Sequence, residues 1–522
     1  MMKKSLFIIM TVSLFSVSVF ADVADQDLLE QDDSSPLKSI AQLSSLKHIS
    51  KKQTEQAPYV HDLKNAEQVR TLFVESQALP IVDIQLTFNA GSARDENIGK
   101  GLFGIANMAA NLMTEGTEKY TAAQIANTFE QLGAQFSVKA YRDMFVVRLR
   151  VMSDPQKLNT AVDLMLDILN HATFSTSSLN LVYSNTQVGQ RQLQENPNRL
   201  IDIRLYRTLY GTHPYAEPIT GTNASIRKIT PALLKQFREQ LLVAQNMNIA
   251  LTGQLSPQQA NDLSLKIIQS LPQGQRAMPL AAPKPQGGIN IQHIPYQSTQ
   301  AYVTFGHLGI SRNDPDQLAL ELANQMLGGS GFNSLLMKEL RVKRGYTYGA
   351  YSAFNFTQSN GIFSLNYSTK QDQLMQSIHV AHQTLINFVK QPLDQKQLEE
   401  TRSGMLRAFP MTYSSNANIN AQLGSIGFYG LTADYLSKYP EQLRKLTVQD
   451  VQKAIRKHIH PENLTLIVAS EKLDKEQLLQ DLKENLGPTQ PVQIDSDAIG
   501  LPTPSQDNVS PSHSQTDTPA SI

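Results

Sequence analysis

The chain has 522 residues, enough for two to four domains with full hydrophobic cores. Lys plus Arg and Asp plus Glu each number 46, and a net charge of zero argues against electrostatic capture of nucleic acid or an anionic membrane. The absence of cysteine excludes disulfides, cysteine nucleophiles and thiolate metal sites.

In chain order, Lys3 and Lys4 precede an apolar stretch from Leu6 to Val19, and Val19-Phe20-Ala21 places small residues where a signal peptidase cuts. Thr11, Ser13, Ser16 and Ser18 interrupt the stretch, which is shorter than the ~20 residues a spanning helix needs. Residues 1–21 are therefore expected to be a signal peptide cleaved after Ala21, leaving a mature periplasmic or otherwise exported chain with no membrane span. Residues 22–58 and 488–522 are polar, with too few apolar side chains to offset ordering entropy, and are expected to be disordered.

Between those tails, Val82, Ile84, Leu86 and Phe88 alternate with Asp83, Gln85 and Thr87, the pattern of a strand with one buried face. A helix is predicted from about Leu102 to Thr114, closed by Gly116 as a C′ glycine. Its apolar side is Leu102, Ile105, Ala109, Leu112 and Met113; Asn107, Ala110 and Asn111 fall opposite. Phe145, Val147, Leu149 and Val151 mark a second strand. Leu158, Val162, Met165 and Leu169 follow at helical spacing behind Ser153-Asp154-Pro155. Thr230-Pro231 opens another helix before a strand at 246–251.

Residues 273–288, rich in Pro and Gly and without periodicity, read as a linker. Beyond it the strand and helix of 145–169 recur at 362–388, and the helix and strand opened by Thr230 recur from Thr447 to Val468. The chain is thus a duplicated unit, residues 59–272 and 289–487. Each half is expected to be α+β, with helices packed on mostly antiparallel sheets, the two joined into a clamshell.

The segment 91–117, GSARDENIGKGLFGIANMAANLMTEGT, resembles the insulinase/pitrilysin-type zinc peptidases, or inverzincins. That family carries G-x-A-H-x-x-E-H, then Gly-Thr, on the first helix of the N-terminal unit. Gly104, Ala106, Gly116 and Thr117 are in register. Asn107 and Asn111 occupy the histidine positions, and Ala110 the position of the general base. The resemblance implies a further glutamate ligand near Gln187 to Gln190, yet no Asp or Glu lies between Asp167 and Glu195. Neutral amides are poor zinc ligands, and a methyl group cannot take a proton from water. No metal or other cofactor is expected in this chain. His379 with His382, and His458 with His460, lack the ligand count of a site; the first pair reads as a solvated helix surface, and the second lies where a helix gives way to the final strand.

In the second half, Leu327-Gly328-Gly329-Ser330-Gly331 precedes a helix and then LRVKRGYTYG at 340–349. This is similar to the family's C-terminal signature, in which an Arg and a Tyr seven residues apart face the zinc site. By resemblance, Arg341 and Tyr348 would hold the substrate backbone and polarise the scissile carbonyl, beside Gly328 and Gly329. Leu335 departs from the family's usual Arg. Read without the resemblance, Arg341 and Arg344 would be surface ion pairs and Tyr348 a strand residue.

The resemblance spans residues 60–487, and it implies a non-catalytic subunit, a pseudoenzyme. Its partner would be a catalytic subunit of the same family that holds the zinc, and together they would form a periplasmic heterodimer degrading peptide substrates. A stand-alone peptide-binding or scaffold protein of the cell envelope is the alternative. An unfamiliar peptidase mechanism lacks a candidate nucleophile pair.

Overall fold

The computed structural model describes residues 57–487 except Lys64, Ala66 and Ser330. The expected signal peptide, nearly all of the expected N-terminal tail and residues 488–522 lie outside the described residues. Ala57, at the end of the tail expected to be disordered, already packs against a hydrophobic core made mostly of second-half residues.

The alternation of Val82, Ile84, Leu86 and Phe88 makes the central strand of a six-stranded sheet. Its strands are β1 (His61–Leu63), β2 (Thr71–Glu75), β3 (Ile81–Phe88), β4 (Gln135–Ala140), β5 (Phe145–Met152) and β6 (Met247–Gly253). They lie in the order β1-β2-β6-β3-β5-β4, antiparallel except for β2 with β6. The β3–β5 register sets Val82 opposite Val151, Ile84 opposite Leu149 and Leu86 opposite Val147, so the apolar residues share one face. On that face lie α1 (Ile105–Leu112), α2 (Pro155–His171) and α3 (Thr176–Gln194), which share one core with it. Asp154 caps α2 by accepting from the Lys157 N–H, with Pro155 in the first turn. Next come α4 (Pro197–Tyr210) and α5 (Pro231–Leu241), the latter capped by Thr230.

The second half repeats this plan. Its strands β7 (Asn290–Pro295), β8 (Gln300–Leu308), β9 (Ala350–Asn355), β10 (Ile362–Lys370) and β11 (Thr465–Ser470) run in the order β7-β11-β8-β10-β9. Only β7 with β11 is parallel, the counterpart of β2 with β6. Its helices include α6 (Gln317–Gly328), α7 (Leu374–Lys390), α8 (Asn416–Tyr429) and α9 (Val448–His458). Thr447 opens α9 with a capping box completed by Asp450. The duplication read from the sequence is therefore a duplication of topology. The two α+β halves close on each other as a clamshell, joined by residues 273–288, which form neither helix nor strand.

One expectation changes. The polar face of β3 is buried too: Asp83, Gln85 and Thr87 are all below a tenth exposed. The cover comes from the other half, since α8 crosses β2, β6 and β3. Its fit is close: a Cβ added at Gly424 would fall 1.9 Å from the Gln85 amide nitrogen. The exchange is reciprocal. From the first half, α4 sets Ile201, Leu205 and Leu209 against Ile362, Ile467 and Ala469 of the second sheet. Burying β3's polar face is tolerable because Asp83 receives two hydrogen bonds from Arg150, at 2.8 and 3.0 Å, and Gln85 accepts from Arg148 at 2.8 Å.

The β4–β5 and β9–β10 hairpins also meet at their tips. Asp143 accepts from the Tyr215 hydroxyl and, at 2.8 Å, from the Gln358 N–H; Tyr215 Oη accepts from the Ser359 N–H at 3.1 Å. Burial pushes the Asp143 carboxyl above its usual range while these donors oppose the shift.

Candidate functional site

The helix carrying Asn107, Ala110 and Asn111 starts at Ile105, later than its apolar pattern predicted, because Gly104 is left-handed at φ +97°. A Cβ on Gly104 would lie 2.9 Å from the Thr220 carbonyl oxygen, so glycine is needed for both conformation and space. Asp95, which the sequence reading passed over, holds this end. Its carboxylate accepts from the Gly104 N–H at 2.6 Å and the Ala106 N–H at 3.1 Å. Burial raises its pKa well above the ordinary value, against the pull of those two N–H groups. Gly116 is not a C′ cap: α1 ends at Leu112, and Gly116 lies beyond a turn, bridged to Thr121.

Ile105, Ala109 and Leu112 are fully buried, as predicted. On the other side Asn107 is half-buried and Asn111 exposed, but Ala110 is only 6% exposed, so this side is not simply solvated. Alongside runs α3, where Thr186 Oγ1 approaches Met108 Sδ at 3.8 Å. The helix pair is present; the donors are not. Gln187 donates its amide N–H to the Tyr183 hydroxyl at 2.6 Å, and Gln190 donates to the carbonyls of Thr220 and Gly221 at 3.3 and 3.2 Å. With two asparagines, an alanine and glutamines whose amides are engaged as donors, the residues do not fit zinc.

The Arg341 region is built differently. At the end of α6, a Cβ on Gly328 would fall 2.4 Å from the Ser352 nitrogen on β9, and one on Gly329 would fall 2.0 Å from Gln325 Oε1. These contacts require glycine where the chain turns against the sheet. The following segment, Met337–Val342, is not an ordinary helix but a π-helix, with the Lys343 N–H donating to the Lys338 carbonyl at 3.0 Å. Such wide turns recur at functional sites.

Here Arg341 sits at the end of the π-helix. Its guanidinium donates to the Tyr348 carbonyl at 2.7 Å and lies 4.6 Å from the centre of the Phe332 ring. Among the described residues it has no carboxylate partner. The ion-pair reading applies instead to Arg344, which meets Glu339 at 2.7 Å beside Lys343 at 2.8 Å. Burial opposes ionisation of Glu339, but the two cations outweigh it and hold its carboxyl below the usual range. Tyr348 is 83% exposed and precedes β9 rather than packing within it. Among the described residues, no hydrogen bond, ion pair or ring contact joins Arg341 or Tyr348 to α1 or to Gln187 and Gln190.

The histidine pairs separate. His382 is buried, with Nε2 at 3.0 Å from the Pro461 carbonyl, while His379 is exposed, so the pair does not share a solvated face. His458 bonds Asp316 at 2.8 Å, and His460 lies 3.4 Å from Glu462. Asp314, Asp316 and His458 place their ligand atoms within 4.8 Å of one another, but Lys457 already neutralises Asp316 at 2.7 Å.

Comparison with known proteins gives this geometry its context. The insulinase (peptidase family M16) model matches residues 70–223, and the peptidase M16 inactive-domain model matches residues 228–405. The crystal structure of a peptidase M16 inactive domain from Pseudomonas fluorescens is 34% identical, with a TM-score of 0.75. The match covers 79% of this chain and 98% of that one. A protease structure from Helicobacter pylori, 17% identical at a TM-score of 0.71, shares the fold over 79% of this chain and all of its own. A relative from Helicobacter pylori named "Non-peptidase homolog YmxG" is 24% identical over 80% of this chain and 95% of its own length. "Uncharacterized zinc protease YmxG" from Bacillus subtilis is 23% identical over 60% and 75% respectively. Both family models, the shared fold and the in-register glycines agree: the chain belongs to the insulinase-type peptidase family M16.

Proposed function

We propose that this chain is a non-catalytic M16 subunit that pairs with a zinc-bearing subunit of the same family and lends Arg341 and Tyr348 to a shared peptide-degrading site. The observation that carries the proposal is a contrast. Asn stands at both histidine positions, Ala at the position of the base, and no acid lies between Asp167 and Glu195, whereas among the described residues Arg341 has no acidic partner and Tyr348 stands in solvent. A guanidinium and a phenol can each donate to a carbonyl oxygen as it becomes anionic, and such donors count most where water is excluded. The partner's metal supplies the water activation that this chain lacks. Relatives named as a non-peptidase homologue and an inactive domain support the absence of activity in the chain alone. The Lys3-Lys4 start and the Leu6–Val19 stretch support export, hence a periplasmic pair.

The test is co-expression with a family member that carries an intact H-x-x-E-H. Arg341→Ala and Tyr348→Phe are each expected to lower the pair's kcat for a peptide by about 100-fold or more, on the scale of losing one charge-stabilising donor, while both chains still co-elute. Unchanged turnover with an intact complex would favour the alternative, a peptide-binding scaffold.

A further inference from the structure

Each sheet keeps part of its second face open. The crossing helix α8 covers β2, β6 and β3 and reaches Val146, while α4 covers β8 and β11. The outer strands β4 and β5, and β9 and β10, extend beyond this cover. Register fixes which residues share the open face: Gln135, Ser137 and Lys139 lie opposite Arg150, Arg148 and Val146. On the other sheet, the same face of β10 carries Ser364, Asn366, Ser368 and Lys370.

The charged residues at these positions are Lys139, Arg148, Arg150 and Lys370; none is acidic. The chain as a whole carries 46 basic and 46 acidic residues, so this face departs from the average. Among the described residues only Arg150 has an acidic partner, Asp83 at 2.8 Å. Arg148 donates Nε–H to neutral Gln85 Oε1 at 2.8 Å, and its remaining guanidinium N–H groups have no partner among the described residues. Lys139 is exposed and diagonal to Arg148 across the β4–β5 pair, a Cα spacing of about 7–8 Å. Two unpaired cations at that spacing suit two carboxylates on one extended chain, whose same-side residues repeat at about 7 Å.

We infer that the open face of the N-terminal sheet binds acidic extended peptides, with Arg148 and Lys139 receiving Asp or Glu carboxylates. The inference rests on the reading that the chain handles peptides, but not on its pairing with a zinc subunit.

The chain contains no tryptophan, so a peptide with a single Trp reports its own binding by fluorescence. The full chain should bind a Trp-bearing Glu/Ser peptide about tenfold more tightly than its Gln/Ser counterpart, with the preference shrinking as salt screens it. In the double variant Lys139→Gln, Arg148→Gln the acidic peptide should fall to the neutral peptide's affinity, with Lys475→Gln unchanged as a control. Lys139→Gln alone touches no hydrogen bond of the fold and keeps the test valid should Arg148→Gln unfold. Equal affinity for the two peptides, or undiminished acidic binding in the variant, would overturn the inference. So would stronger binding of a single-stranded oligonucleotide. A chain that fails to stimulate any zinc subunit yet discriminates the peptides would refute the pairing alone.

Discussion

Asp95 shows how one side chain can hold a site in place after its chemistry has gone. Two backbone N–H groups at the start of α1 point into its carboxylate, which is buried. Asp95→Ala would leave both donors unmet, at about 1–3 kcal/mol for each buried group left unsatisfied. A lowered urea midpoint with an unchanged slope is expected, and Asp95→Asn, which keeps one acceptor, should cost less. Asn107 and Asn111 make a second case. Restoring histidine at both, with Ala110→Glu, should still give only weak zinc uptake by metal analysis, because Gln187 and Gln190 supply no carboxylate on α3. Stoichiometric zinc in that triple variant would show that the downstream ligand is dispensable here. Asp95 itself was legible as an acid in the sequence, but its role was not: its partners are main-chain groups 9 and 11 residues away, which side-chain patterns do not encode.

Among the elements, strands and caps were the readable part. The period of two at Val82–Phe88, the caps at Asp154, Thr230 and Thr447, and the helix behind Thr447 all appear where the sequence placed them. Each depends on neighbours within a few residues. What could not be read was the cover on β3, because α8 lies more than 300 residues away in sequence and a polar strand face looks solvated until something packs on it. The π-helix at Met337–Val342 is of the same kind, since its composition is that of an ordinary helix. The glycines before it were legible, and the structure supplies their reason. Gly328→Ala would drive a Cβ to 2.4 Å from the Ser352 backbone nitrogen, which cannot swing aside. We expect a loss of about 1–3 kcal/mol in chemical denaturation, the range for overpacking, and a fall in the pair's turnover through displacement of the Arg341 segment. A parental denaturation midpoint would contradict this seating of α6 against β9.

At the scale of the molecule, the two halves are interlocked rather than merely tethered. Each half's helix covers the other's sheet, and the hairpin tips meet through Asp143 and Tyr215. Stability also carries a pH signature through His307 and His382 in the second half, whose imidazoles burial lowers to about 4. Histidines in the unfolded chain titrate near 6.5, so below that pH the unfolded state takes up protons first. Stability contributed by the neutral rings is therefore present above pH ~6.5 and lost as pH falls towards 4. Denaturant midpoints at pH 7 and pH 5 should show a smaller drop in the variant His307→Gln, His382→Gln than in the parent, and equal drops would remove both histidines from the cause.

The most direct measurement is a titration of this chain into a zinc-bearing M16 subunit while the initial rate of peptide hydrolysis is followed. The rate should rise and saturate at one chain per zinc subunit. Arg341→Ala should compete for the same place without raising the rate, and this chain alone should bind no stoichiometric zinc and cleave nothing. Hydrolysis by the purified chain with its own bound zinc, or a zinc subunit indifferent to its addition, would contradict the role proposed for Arg341 and Tyr348.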